Sequence, residues 1–129
     1  MKRLLIDTNI YSHALKGEAG VVEVLKAADE IGFSVISIGE LLAGFKWGGK
    51  EKKNREELEQ FLDSPRVVVY PVDDETSEFY AQTLSNLRKI GKPVPTNDIW
   101  IAAIAFQNGL KLFTKDGHFK AIAGLYLVE

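Results

Sequence analysis

Short β-prone runs set apart by stretches of helical periodicity are what most constrain this chain. Leu4-Leu5-Ile6, Phe33-Ser34-Val35-Ile36, Val67-Val68-Val69-Tyr70, residues 111–113 and Leu125-Tyr126-Leu127 each read as a short strand. Between them lie helical patterns. Thr8 or Asn9 caps a helix over residues 10–16, and Val21, Val24, Leu25, Ala28 and Ile31 recur at helical spacing. Ser37-Ile38-Gly39-Glu40 opens a third helix, and Asp73 or Asp74 caps a long one whose core stripe is Tyr80, Leu84 and Leu87. Thr96-Asn97 caps a helix over residues 98–107 that is apolar nearly all round and so belongs in the interior. Strands alternating with helices at wide spacing imply the α/β class with a mainly parallel sheet. One segment breaks the rule. Residues 48–63 are strongly charged, with only Leu58, Phe61 and Leu62 to bury a face, and read as a solvent-facing helix or helical hairpin.

A chain of 129 residues fits one domain with a proper core. The formal net charge of −2 provides no strong field, so an anionic partner must be held by local basic patches or by metal ions. The absence of cysteine excludes disulfides, zinc–thiolate sites and a thiol nucleophile. The N-terminal apolar run is too short for a signal sequence, and residues 99–106 are too few to span a bilayer. A cytoplasmic location without membrane contact is the expectation.

Four acids stand at element boundaries. Asp7 follows the first strand, Glu40 lies in the first turn after the second, Asp98 opens the apolar helix, and Asp116 follows the fourth strand. In a parallel sheet these positions converge on the edge formed by the strand C-termini, where open α/β folds bind ligands. Crowded carboxylates repel, and a divalent cation removes that cost. Ligation by oxygen alone suits Mg²⁺ or Mn²⁺ rather than zinc. Each acid also has a structural reading: Ser37-x-x-Glu40 matches a capping box, Asp98 complements a helix dipole, and Asp116-Gly117 is a turn pair. Asp7 resists this most, because a strand ending in Asp-Thr-Asn buries polar atoms that need partners.

Asp7-Thr8-Asn9, Ser37-x-x-Glu40, Gly91-x-Pro93-x-Pro95-Thr96-Asn97-Asp98-Ile99-Trp100-Ile101-Ala102-Ala103 and Thr114-x-Asp116-x-x-Phe119 resemble the PIN domain over essentially the full length. More closely, the chain looks like the VapC toxins of type II toxin–antitoxin pairs. The resemblance implies a single PIN domain over residues 1–129: an α/β/α three-layer sandwich with four to five short strands. It implies a metal-dependent endoribonuclease in which Asp7, Glu40, Asp98 and Asp116 are the catalytic, metal-binding carboxylates, with Mg²⁺ or Mn²⁺ as cofactor. Metal-activated water would hydrolyse RNA phosphodiesters to 5′-phosphate and 3′-hydroxyl ends. Thr114 would help order the site by hydrogen bonding, and Asn9 would support it. Many relatives carry a further acid two residues after the last; here that position is His118, which leaves one ligand fewer for a second metal. His118 then either touches the scissile phosphate or caps a turn. A homodimer and a cognate antitoxin are implied as partners.

Substrate RNA would meet local basic residues: Lys46 and its neighbours after the helix bearing Glu40, Arg88 and Lys92 ahead of Asp98, and Lys115 beside Asp116. Glu51, Glu56, Glu57 and Glu59 cancel much of the first cluster, which also reads as a solvated face. Trp47 is suited to stacking on an unpaired base, to packing or to a partner surface. A haloacid-dehalogenase-type phosphatase is the rival enzyme, but it needs a second Asp where Asn9 stands. A PIN nuclease of RNA processing and a non-catalytic RNA-binding PIN module are the nearer alternatives.

Overall fold

A computed structural model of the chain describes residues 1–128. The elements run β1 (Arg3–Ile6), α1 (Thr8–Leu15), α2 (Ala19–Ala27), β2 (Glu30–Ser34), α3 (Val35–Trp47), α4 (Glu51–Leu62), β3 (Val67–Tyr70), α5 (Asp74–Lys89), α6 (Thr96–Asn108) and β4 (Lys111–Phe113), followed by a 3₁₀ turn at Gly117–Ala121. The strands form one sheet in the order β3-β2-β1-β4. Every pairing is parallel, with Leu5 opposite both Gly32 and Leu112.

This order fixes the layers. From β1 to β2 to β3 the chain steps outward in one direction, and right-handed crossovers keep the helices of those steps on one face. The step from β3 back past β1 to β4 reverses direction and puts its helices on the other face. The core divides accordingly. Leu4, Ile6 and Phe33 pack with Ile10, Tyr11, Val21 and Leu58 on one side of the sheet. Leu5, Tyr70 and Leu112 pack with Leu87, Ile99, Ile101 and Ile104 on the other. The alternation Leu4, Leu5, Ile6 across the two clusters is the period-2 pattern of a strand buried on both faces. The result is three layers, α/β/α.

Several boundaries depart from the sequence reading. The second strand ends at Ser34, and Val35 and Ile36 begin α3 despite their β propensity. The reason is local: the Ser34 hydroxyl accepts the Ser37 N–H at 3.0 Å, which starts the helix there. Ile31 belongs to β2, so the second helix stops at Ala27. α1 is capped by Asp7, not by Thr8 or Asn9, and α6 begins at Thr96 with no side-chain cap. Leu125-Tyr126-Leu127 does not form a fifth strand. Among the described residues its only ladder contact is an isolated parallel bridge from Leu127 to Leu112, with Leu112 N–H donating to Tyr126 C=O and Val128 N–H donating to Leu112 C=O. Of residues 48–63, Glu51–Leu62 form the single helix α4, and the hairpin is the one that α4 makes with α3.

Candidate active site

The C-terminal edge of β1 and β4 is the topological switch point of this sheet, since the chain leaves β1 toward β2 on one side and returns to β4 on the other. Asp7 sits there. Its N–H donates to Phe113 C=O across to β4 at 3.2 Å, and its side chain is buried, 4 % exposed. One carboxylate oxygen accepts the Ile10 N–H at 3.0 Å, capping α1, while the other accepts the Thr114 hydroxyl. Thr114 also accepts the Asp116 N–H at 2.9 Å, so it ties the loop after β4 to the acid after β1.

Three helix starts meet the same edge. α6 leads into β4 and so runs against the strands, which brings its first turn, with Asp98, up to Asp7. α3 leaves β2 at this edge and carries Glu40. Asp116 caps the 3₁₀ turn by accepting the His118 N–H at 3.2 Å. Together Asp7, Thr8, Asn9, Glu40, Asn97, Asp98, Asp116 and His118 line a cleft of about 370 Å³. All four acids read from the sequence therefore face one cavity.

Their environments differ. Burial is the main influence on Asp7 and pushes its carboxyl above the ordinary range; the charges of Asp98 and Asp116 push the same way, against the hydrogen bonds from Thr114 and Ile10. Burial also raises Asp98, with Glu40 and Asp116 adding to the rise and His118 opposing it. Both shifts come first from burial, with the crowding of acids adding to it. One ligand atom each from Asp98, Asp116 and His118 lie within 4.8 Å of one another. Oxygen-rich donors with one imidazole, beside two carboxyls held up by burial and mutual repulsion, fit a divalent cation.

The capping box expected at Ser37 and Glu40 does not form, because Ser34 is the cap. Glu40 is turned to the cleft instead. One oxygen accepts the Thr8 hydroxyl at 2.6 Å and the other accepts Asn97 Nδ2 at 3.3 Å. Ser34, Ser37 and Thr8 hydroxyls run in a chain to Glu40, with Thr8 and Ser37 oxygens 2.9 Å apart. Thr8 and Asn97 were legible only as helix caps, and no pattern in the sequence links either to Glu40. His118 bridges two acids: Nε2 lies 2.6 Å from Asp98 and Nδ1 lies 2.6 Å from Asp116. Asn9 lines the cleft without a hydrogen bond to the acids.

The basic candidates lie outside the cleft lining. Lys46 pairs with Glu51 at 3.3 Å and Lys115 with Glu18 at 3.0 Å. Arg88 and Lys92 border a separate groove beside Pro93 and Val94. Trp47 is exposed at the end of α3.

Comparison with known proteins identifies the family of the fold. The PIN domain family model matches residues 4–125. The chain is 30% identical over 129 residues to Ribonuclease VapC4 of Mycobacterium tuberculosis, covering 99% of this chain and 97% of that one. It is 35% identical to plasmid stability protein StbB of Pseudomonas syringae pv. tomato, covering 98% and 96%. The crystal structure of VapBC2 from Rickettsia felis bound to a promoter DNA fragment superposes with a TM-score of 0.87 at 26% identity, over 98% of this chain and 97% of that chain. With its sheet order, its acidic cleft and a match along nearly its whole length, the chain belongs to the PIN domain family, among the VapC proteins.

Proposed function

We propose that this protein is a metal-dependent endoribonuclease and the toxin of a type II toxin–antitoxin pair. The observation that carries this is the meeting of Asp7, Glu40, Asp98 and Asp116 in one cleft at the sheet's switch point. Support comes also from relatives whose names describe a ribonuclease and from a structural neighbour solved as a VapBC assembly. The partner we infer is a cognate antitoxin, the assembly a homodimer, and the working location the cytoplasm. Among the described residues no helix is long and apolar enough to cross a membrane.

Asp7, Asp98 and Asp116 would hold Mg²⁺ or Mn²⁺, with Glu40 completing the cluster. When bound, the ion supplies Lewis-acid activation of water and stabilises charge on the phosphate. The chain's own residues do the rest. Thr114 and the Ile10 N–H fix both oxygens of Asp7, so its orientation survives without the ion. Thr8 and Asn97 each hold one oxygen of Glu40, which fixes its carboxylate at the cleft. The helix starts that line the cleft direct partial positive charge toward a phosphate there.

The test is incubation of the purified protein with cellular RNA in Mg²⁺, Mn²⁺ or EDTA, with 5′-phosphate ends mapped. Metal-dependent internal cleavage that Asp7→Asn lowers at least about a hundredfold is expected. Cleavage in EDTA, or full activity in the Asp7→Asn protein, would show the assignment to be wrong.

A further inference from the structure

His118 departs from the all-carboxylate pattern, and its placement gives it a task. Its backbone N–H and its Nδ1 both contact Asp116 Oδ1, at 3.2 and 2.6 Å. Its ring lies against Phe119, with centroids 5.1 Å apart and Phe119 itself buried. The ring is therefore held by its own backbone and by Phe119, with Nδ1 in ion-pair contact with Asp116 and Nε2 in hydrogen-bond geometry with Asp98. When Nε2 carries no proton, a ring so placed offers that nitrogen's lone pair to a metal. Here Nε2 points at Asp98 Oδ2, 2.6 Å away. Two electron-rich atoms aimed at one point need a cation between them, a proton or a metal ion. The chain's other histidine, His13, is occupied elsewhere with Glu18 at 2.8 Å.

We propose that His118 Nε2 is itself a ligand of the divalent ion, beside Asp98 and Asp116, and that this mixed nitrogen–oxygen set favours Mn²⁺ over Mg²⁺. The inference rests on the reading of the acids as a metal site. Carboxylate and water ligands suit both ions. Mg²⁺ holds to oxygen ligands and keeps its waters, whereas an imidazole adds affinity for transition ions. His118 thus becomes a selector of the metal.

The test is Mn²⁺ titration followed by loss of the free-ion electron paramagnetic resonance signal, with pulsed measurements reading ¹⁴N coupling to the bound ion. The native protein should bind Mn²⁺ with a directly bonded nitrogen. His118→Asn, which keeps a polar atom near the Nδ1 position, should lose that coupling and bind Mn²⁺ at least about tenfold more weakly. Its Mg²⁺ affinity, read by competition, should change far less. His118→Gln serves as a second variant, and thermal melting in EDTA verifies that each is folded. Bound Mn²⁺ without nitrogen coupling in the native protein, or coupling that persists in both variants, overturns the role of His118 while leaving the acidic metal site standing. No Mn²⁺ binding by the native protein overturns both.

Discussion

At the scale of single residues, Asp7 concentrates the conflict in the site. It is buried, it caps a helix, it accepts from Thr114, and it stands among other acids. Its carboxyl is raised, burial being the first cause. A raised carboxyl contributes stability that is fully present below its unfolded value and is lost as pH rises through the folded one. Metal-free protein therefore loses stability at Asp7 as pH rises toward neutral. Asparagine keeps the cap to Ile10 and removes the charge. Asp7→Asn in EDTA should melt higher than the native protein at neutral pH, with the gap closing as pH falls through the carboxylate range. Melting curves across pH check this; a variant less stable at every pH would contradict it. Asp7 was legible in the sequence because a buried strand ending in an acid needs partners for it. His118 stands out in the sequence as a residue that touches the scissile phosphate or caps a turn, but its contact with Asp98, on another element brought near only by the fold, has no sequence signal.

At the scale of elements, one hydroxyl sets the frame of α3. Ser34 is fully buried and accepts the Ser37 N–H, so the helix starts at Val35 and Glu40 falls in its second turn, facing the cleft. Shifting that start by a residue would turn Glu40 by about 100° around the helix axis. Ser34→Ala should cost about 1 kcal/mol in denaturant unfolding, from the lost cap. It should also lower RNA cleavage, since the hydroxyl chain through Ser37 and Thr8 to Glu40 loses its first member. Unchanged cleavage alongside reduced stability would separate the cap from the site. The sequence carries a competing signal at this boundary. Val35 and Ile36 extend a β-prone run, and Ser37-x-x-Glu40 offers a plausible cap three residues later. Two local signals competed, and the one that satisfied a buried backbone N–H prevailed. The same limit explains residues 125–127: their β propensity is real, but β4 offers them only Leu112 as a partner.

At the scale of the whole molecule, the alternation of strands and helices was enough to give the α/β class and the parallel sheet. Strand order was not written in it. The order β3-β2-β1-β4 places Asp7 and the loop bearing Thr114 and Asp116 side by side, and through them gathers acids spread over most of the chain. A protein with net charge −2 has no general attraction for RNA, so a phosphate needs a local positive centre in the cleft. A divalent ion would supply one, and would also offset the burial and the repulsion that raise Asp7 and Asp98. Binding to the folded state alone stabilises by about 2.7 kcal/mol at a hundred times the dissociation constant, which moves the melting temperature by several degrees. Saturating Mn²⁺ should therefore raise the melting temperature at neutral pH. The rise should shrink as pH falls and the carboxyls take up protons in place of the ion. In the Asp98→Asn, Asp116→Asn double variant it should vanish. A rise of equal size in that variant would locate the ion elsewhere and remove the link between the acidic cleft and the activity.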